Sequence, residues 1–186
     1  MSTDNILLEA EMVMEKSVDY MVHEFAGVRT GKASPALVEN VDVQAYGSTM
    51  KLKQLALITT PEPRLLVVQP FDASTVQDIE RALKESNIGI TPAVDGKLIR
   101  LPIPELSEER RKELVKSLGK MAEEARVRVR ANRRTALDDA KKLKTGGEVT
   151  EDGLRDLENQ VQKLTDRFVK SIDDHISRKE AEILKV

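Results

Sequence analysis

"RTGKASP", Arg29 to Pro35, ends one helical pattern, and "LPIPEL", Leu101 to Leu106, leads into the next. Between these proline-containing stretches the hydrophobic period changes from that of a helix to the alternation of strands. A chain that leaves a helical body through one linker and returns through a second carries its middle portion as an insertion. The two linkers therefore predict two bodies: a helical domain from residues 1–30 and 105–186, and an inserted domain from 31–104. They also predict hinges near 29–35 and 102–106, with Pro102 and Pro104 in the second.

Outside the linkers, three segments each carry one apolar stripe. Leu7, Ala10, Met14, Val18, Met21, Phe25 and Val28 recur at alternating three- and four-residue steps, which lays them along one face of a helix. A second stripe runs through Leu114, Leu118, Met121, Ala125, Val129, Asn132, Ala136, Ala140 and Leu143. Ser107 precedes it as an N-cap without a full capping box, and Gly146-Gly147 follow it as a C-terminal stop. The third runs Leu154, Leu157, Val161, Leu164, Phe168, Ile172, Ile176 and Ile183, interrupted at Lys179, with Thr150 as its cap. Helices with one stripe each bury it only against one another, so the expected body is an elongated three-helix bundle. At ~1.5 Å per residue the second and third helices reach roughly 50–60 Å and the first nearer 40 Å.

The block from 31 to 104 reads as a small β/α/β domain, making the whole chain α+β. "ENVDVQAYGS" alternates up to a turn at Gly47, and "LALITT" and "RLLVVQPF" are strands separated by Pro61 and Pro63. "STVQDIERALKESN" is an amphipathic helix with Ser74 and Gln77 at capping-box spacing. "IGITPAVDGKLIRLPIP" supplies two strands around Asp95-Gly96.

Composition narrows the classes of function. Of 186 residues 33% are charged and 40% hydrophobic; there is no cysteine or tryptophan, and the formal net charge is -2. Thiol chemistry and disulfides are thereby excluded. The N-terminus lacks a basic region followed by an apolar block, and no apolar run approaches the ~18–20 residues of a membrane span. A cytoplasmic protein is expected, and three complementary stripes make a monomer the expected state.

Against this acidic balance stands "RVRVRANRR", Arg126 to Arg134, with five arginines in nine residues. At 100° per residue Arg126, Arg130, Arg133 and Arg134 flank one side of the stripe and Arg128 the other. Arg126 has Glu123, Arg128 has Glu124 and Arg134 has Asp138 one turn away. Arg130 and Arg133 have no acid at that spacing, so compensation must come from outside the helix. One source is an interhelical ladder with Glu158, Asp166 or Asp173; the other is a phosphate backbone, for which the guanidinium fork is suited. Five scattered aromatics offer no stacking platform, so a nucleic-acid partner would be a folded or duplex RNA gripped through phosphate and sugar.

Catalytic chemistry finds no foothold. "GVRTGKAS" has three residues between its glycines and an alanine after Lys32, where a phosphate-binding loop needs four residues and Ser or Thr. His23 and His175 have no ligand-spaced companions. No nucleophile with a base and an orienting group is present. The chain is expected to be no enzyme, with no catalytic residues, metal or cofactor.

"VRTGKASPALVENVDVQAYG", "LPIPELSEERRKELVK", "EEARVRVRANRR" and "VQKLTDRFVKSIDDHISRKEAEI", in this order and spacing, resemble the ribosome recycling factor family essentially from end to end. The resemblance implies an L-shaped protein of transfer-RNA-like dimensions. It implies binding to the ribosome after translation termination and, with elongation factor G and GTP hydrolysis by that factor, subunit dissociation with release of mRNA and tRNA. It also implies contacts with large-subunit ribosomal RNA from Arg130, Arg133 and Arg134 through R-x-x-R-R, and places Arg110 and Arg111 in the family's EERR motif and Arg29, Thr30 and Gly31 in its hinge motif. Arg126 joins the arginine row by its position. Arg128 departs from the family pattern. The rival readings are a helical adaptor that engages only proteins, and an amphipathic membrane-surface binder, which the scarcity of aromatics and the acidic balance disfavour.

Overall fold

The computed structural model describes residues 2–184. The chain divides into two units, residues 1–25 with 112–186 and residues 26–111. The divisions fall at the end of the first long helix and within the first turn of the second, a few residues outside the proline-containing linkers.

The first unit is built from three helices: α1 (Thr3–Ala26), α4 (Glu108–Thr145), from residue 112 onward, and α5 (Glu151–Leu184). Each forms where its stripe predicts, and local chemistry fixes the ends. Ser107 Oγ accepts from the Arg110 N–H at 3.1 Å, and Thr150 Oγ1 accepts from the Gly153 N–H at 3.1 Å. Each satisfies a donor that the first turn leaves free. α4 stops where Gly147 takes φ +74 and the Glu148 N–H turns back to the Leu143 carbonyl at 3.0 Å, the left-handed closure that glycine permits.

Burial follows the stripes with one-residue shifts: Ala122 rather than Met121 is buried in α4, and Thr165 rather than Leu164 in α5. In α1 Ile6 rather than Leu7 lies in the core, and Val28 falls beyond the helix end. Met14, Met21, Leu118 and Ile172 are fully enclosed. One cluster joins Ile6 and Ala10 to Ala136, Ala140 and Leu143 and to Leu154, Leu157 and Val161. Alanines on α4 let the neighbouring helices approach closely there, and leucines on α5 fill the remaining space. A polar pair is threaded through the packing: Asn132 Nδ2 donates to Ser17 Oγ at 3.2 Å, and Ser17 donates to the Val13 carbonyl at 2.9 Å.

The second unit carries β1 (Asp42–Ala45), β2 (Ser48–Lys51), a single helical turn α2 (Leu52–Leu55), β3 (Ala56–Glu62), β4 (Leu65–Pro70), α3 (Val76–Glu85), β5 (Ala93–Asp95) and β6 (Leu98–Pro102). β1 and β2 form an antiparallel hairpin, and the other four strands form an antiparallel sheet of order β3-β4-β6-β5. Ile58, Val68, Ile99 and Val94 share one register line across it. Its inner face, with Leu66, Val68, Ile99 and Leu101, closes on Ile79 and Leu83 of α3 in one core. The start of α3 corrects the sequence reading. Asp72, rather than a Ser74–Gln77 box, caps this region: its Oδ1 accepts from the Ser74 N–H at 2.9 Å, and helix proper begins at Val76.

Both linkers are tied to this unit. The Ala33 N–H donates to the Pro63 carbonyl at 2.7 Å and the Ile103 N–H to the Arg64 carbonyl at 2.8 Å, so two distant segments meet on the one turn between β3 and β4. The Arg64 guanidinium also pairs with Glu105.

Candidate nucleic-acid interface

The arginine row lies in mid-α4, and its immediate partners set its electrostatics. Arg126 is held most firmly. Its Nε and Nη2 both donate to Asp173 Oδ1 of α5, at 3.1 and 2.6 Å, and its Nη1 donates to Glu123 Oε2 at 3.1 Å. Its side chain is only 21% exposed, and the hydrogen bond to Asp173, with a further contribution from Glu123, pushes its pKa further up.

Arg130 does have an acid. Its Nη1 donates to Glu123 Oε1 at 3.2 Å, seven residues back. Two turns return a helix to within about 20° of the same face, and helical side chains lean toward the N-terminus, so Arg130 is aimed at Glu123. A search confined to three- and four-residue spacings passes over this pair.

Arg133 is compensated differently. Its Nη1 donates to the neutral Gln162 Oε1 of α5 at 2.8 Å, and Gln162 in turn donates to Asp166 Oδ1 at 2.8 Å. The carboxylate is thus one side chain removed from the guanidinium. Arg133 Nε is buried with no hydrogen-bond partner, which leaves the outer end of the group as its reachable part.

Arg134 is exposed, and the ion pair with Asp138 that its spacing suggests does not form among the described residues. Of the three acids considered for a ladder, Asp173 alone takes an arginine of the row directly. Arg128 stands apart: its guanidinium lies 4.6 Å from the Tyr20 ring centroid and 3.8 Å from Glu124. Stacking and pairing together account for it on the other flank.

Helix α4 thus gathers Arg126, Arg130, Arg133 and Arg134 into one row. Arg110 and Arg111 belong to the other unit, in the first turn of α4, and the structure does not bring them into the row. Arg110 is exposed and Arg111 half-buried. Among the residues expected at the hinges, Arg29 Nη1 donates to the Ile88 and Gly89 carbonyls at 3.3 and 3.4 Å. Gly31 takes φ +83 against Leu106, and Pro102 is a strand residue opposite Leu65. Thr30 is half-buried and Pro104 exposed. Among the described residues no cluster of three acids, histidines or cysteines is placed to hold a metal. No helix there is long and apolar enough to cross a membrane.

The chain that carries these two units matches a known family. The family model for ribosome recycling factor covers residues 21–184. The chain belongs to the ribosome recycling factor family. The ribosome-recycling factor of Akkermansia muciniphila is 60% identical over 188 residues, spanning all of both chains. That of Rubrobacter xylanophilus is 47% identical over 97% of each. Among solved structures, a ribosome recycling factor in solution superposes with a TM-score of 0.82 at 42% identity, covering 100% of this chain and 99% of that one. A second structure, the T. thermophilus factor bound with E. coli elongation factor G to the E. coli post-termination complex, superposes with a TM-score of 0.71 at 40% identity over the whole of both chains. Membership decides for a translation factor and against the adaptor reading.

Proposed function

We propose that this chain binds the post-termination ribosome and, with elongation factor G and GTP hydrolysis by that factor, promotes subunit dissociation with release of mRNA and tRNA. Family membership across nearly the whole chain carries the proposal. Within it, the helical unit anchors to large-subunit ribosomal RNA through Arg130, Arg133 and Arg134, with Arg126 as the fixed member of the row, and Arg110 and Arg111, in the other unit, are further basic contacts. GTP is hydrolysed by the partner, so this chain supplies binding and mechanical coupling rather than catalysis, and its place of work is the cytoplasm. No step calls for a cofactor.

The linkers suit that coupling. Arg29, the Ala33 and Ile103 amides, and the Arg64–Glu105 pair fasten the segments at 29–35 and 102–106 to the inserted unit. Motion between the units is then carried by the short stretches just outside, at Ala26–Val28 and around the start of α4. Force applied to the inserted unit passes through two strands of chain instead of one. A crosslink between the units is expected to abolish splitting while leaving ribosome binding intact.

The deciding experiment is binding to isolated large ribosomal subunits across a salt series, for wild type and for Arg130→Ala/Arg133→Ala. Loss of two phosphate contacts flattens the slope of log K against log salt by roughly 1.4–1.8. An unchanged slope and affinity would return both arginines to the surface of the bundle.

A further inference from the structure

We propose that Glu123 is a specificity-determining residue: its carboxylate occupies the place of a phosphate between Arg126 and Arg130 and withholds them from casual RNA. The inference rests on the reading of the arginine row as a ribosomal RNA contact.

Each oxygen of Glu123 engages one arginine, Oε2 with Arg126 at 3.1 Å and Oε1 with Arg130 at 3.2 Å. Two guanidiniums gripping two oxygens of one anion is the arrangement that a backbone phosphate would impose on them. Both Glu123 and Arg130 are 55% exposed. Solvent-exposed pairs contribute little to folding, so this one is readily exchanged for another anion.

The remaining bonds of the row favour such an exchange. Arg126 keeps Nε and Nη2 on Asp173, so it stays in position when Glu123 withdraws and Nη1 becomes free. Arg133 holds a neutral glutamine and, among the described residues, Arg134 pairs with no carboxylate, so their charge is available from the start. The row therefore has an open end, Arg133–Arg134, and a guarded end, Arg126–Arg130. An RNA that reaches only the open end gains two phosphate contacts and leaves Glu123 in place, repelling the chain beyond. One whose backbone follows the whole row, roughly 12 Å along the helix, displaces Glu123 and gains all four. A folded RNA of matching shape is thereby favoured over an arbitrary duplex through a repulsive element built into the site.

Glu124 provides the control. It carries the same charge on the adjacent residue but faces Arg128, on the other flank. Binding of wild type, Glu123→Gln and Glu124→Gln to large ribosomal subunits and to a synthetic RNA duplex of unrelated sequence, at one fixed salt concentration, separates a local effect from bulk charge. Glu123→Gln is expected to tighten duplex binding roughly three- to fivefold, the size of one exposed charge interaction. Subunit affinity should also rise, because the RNA no longer displaces a carboxylate, but by less than duplex affinity does, so discrimination falls, while Glu124→Gln moves neither value. Equal tightening by both variants would assign the effect to net charge and overturn the proposal, as would Glu123→Gln duplex binding that is unchanged or weaker. The Arg130→Ala/Arg133→Ala double variant keeps the two levels apart. If it binds subunits like wild type, the row itself is not the RNA contact. If it loses affinity while Glu123→Gln leaves discrimination intact, only the role of Glu123 fails.

Discussion

The guanidinium of Arg29 donates to the carbonyl of Gly89, sixty residues further along the chain. Gly89 adopts φ +65, and a Cβ there would lie 3.0 Å from Arg29 Nη1. Glycine at 89 thus meets two demands, a left-handed backbone and room for an incoming arginine. Through this contact a residue just past α1 becomes part of the inserted unit.

Gly89→Ala is expected to cost about 1–2 kcal/mol, the penalty of a left-handed alanine, and to displace the Arg29 side chain. Urea unfolding gives the first effect, and the arginine Nε–H resonance of Arg29 reports the second. A loss of only a few tenths of a kcal/mol with an unchanged Arg29 signal would mean that the 88–89 loop relaxes freely and holds nothing.

Elsewhere in the same unit, the bonds from the Ala33 and Ile103 amides to the Pro63–Arg64 turn are backbone to backbone, so the Arg64 side chain should be dispensable. Arg64→Ala is expected to cost less than about 1 kcal/mol, as for other exposed pairs. The Ala33 and Ile103 amides should remain protected from hydrogen exchange. Rapid exchange at both would identify the guanidinium, rather than the backbone, as the fastening.

Within the bundle, Asn132 and Ser17 join α4 to α1 through a polar contact between their stripes. A double-mutant cycle of Asn132→Ala and Ser17→Ala is expected to yield a coupling of about 0.5–1.5 kcal/mol, the net worth of a partly buried hydrogen bond. Zero coupling would show that each residue is satisfied separately.

The helices were legible because a stripe, a cap and a glycine stop are local signals, and Ser107, Thr150 and Gly147 act as their positions suggest. The choice of Ile6 over Leu7 was not, because both are large, apolar and adjacent, and the facing of α1 against α4 and α5 decides between them. Asp72 escaped notice as a cap because it serves a turn that precedes α3 rather than the helix itself. In the arginine row, the pairs of Arg126 and Arg128 with neighbouring glutamates follow from spacing along one helix. The bonds of Arg126 to Asp173 and of Arg133 to Gln162 depend on how α5 is turned against α4, which no single-helix periodicity contains. The fastening of both linkers was likewise hidden, since a proline-rich stretch looks free until the turn that receives its amides is in place.

At the β1–β2 hairpin, pH offers a test of one exposed contact. Tyr46 sits at φ +53, followed by Gly47 at φ +71, a turn whose two positive angles suit the twist of a hairpin but strain a tyrosine. Its hydroxyl donates to Asp72 Oδ2 at 2.6 Å. That bond, with a second from the Ser74 N–H, lowers the pKa of Asp72, and the same bond to Asp72 raises that of Tyr46. The signs follow by linkage. The contribution from the lowered carboxyl is present above its unfolded value of about 3.9 and disappears as pH falls through the folded value. The contribution from the raised phenol is complete below about pH 10 and disappears as pH rises through its folded value. Tyr46→Phe is expected to move the Asp72 titration upward, short of the ordinary carboxylate value because the Ser74 N–H remains, as followed by carboxyl carbon chemical shifts across the acid range. Asp72→Asn is expected to bring the Tyr46 titration down toward that of a free phenol. An Asp72 titration indifferent to Tyr46→Phe would show that the bond is not formed in solution, and the positive φ of Tyr46 would then have to be sustained by the hairpin backbone alone.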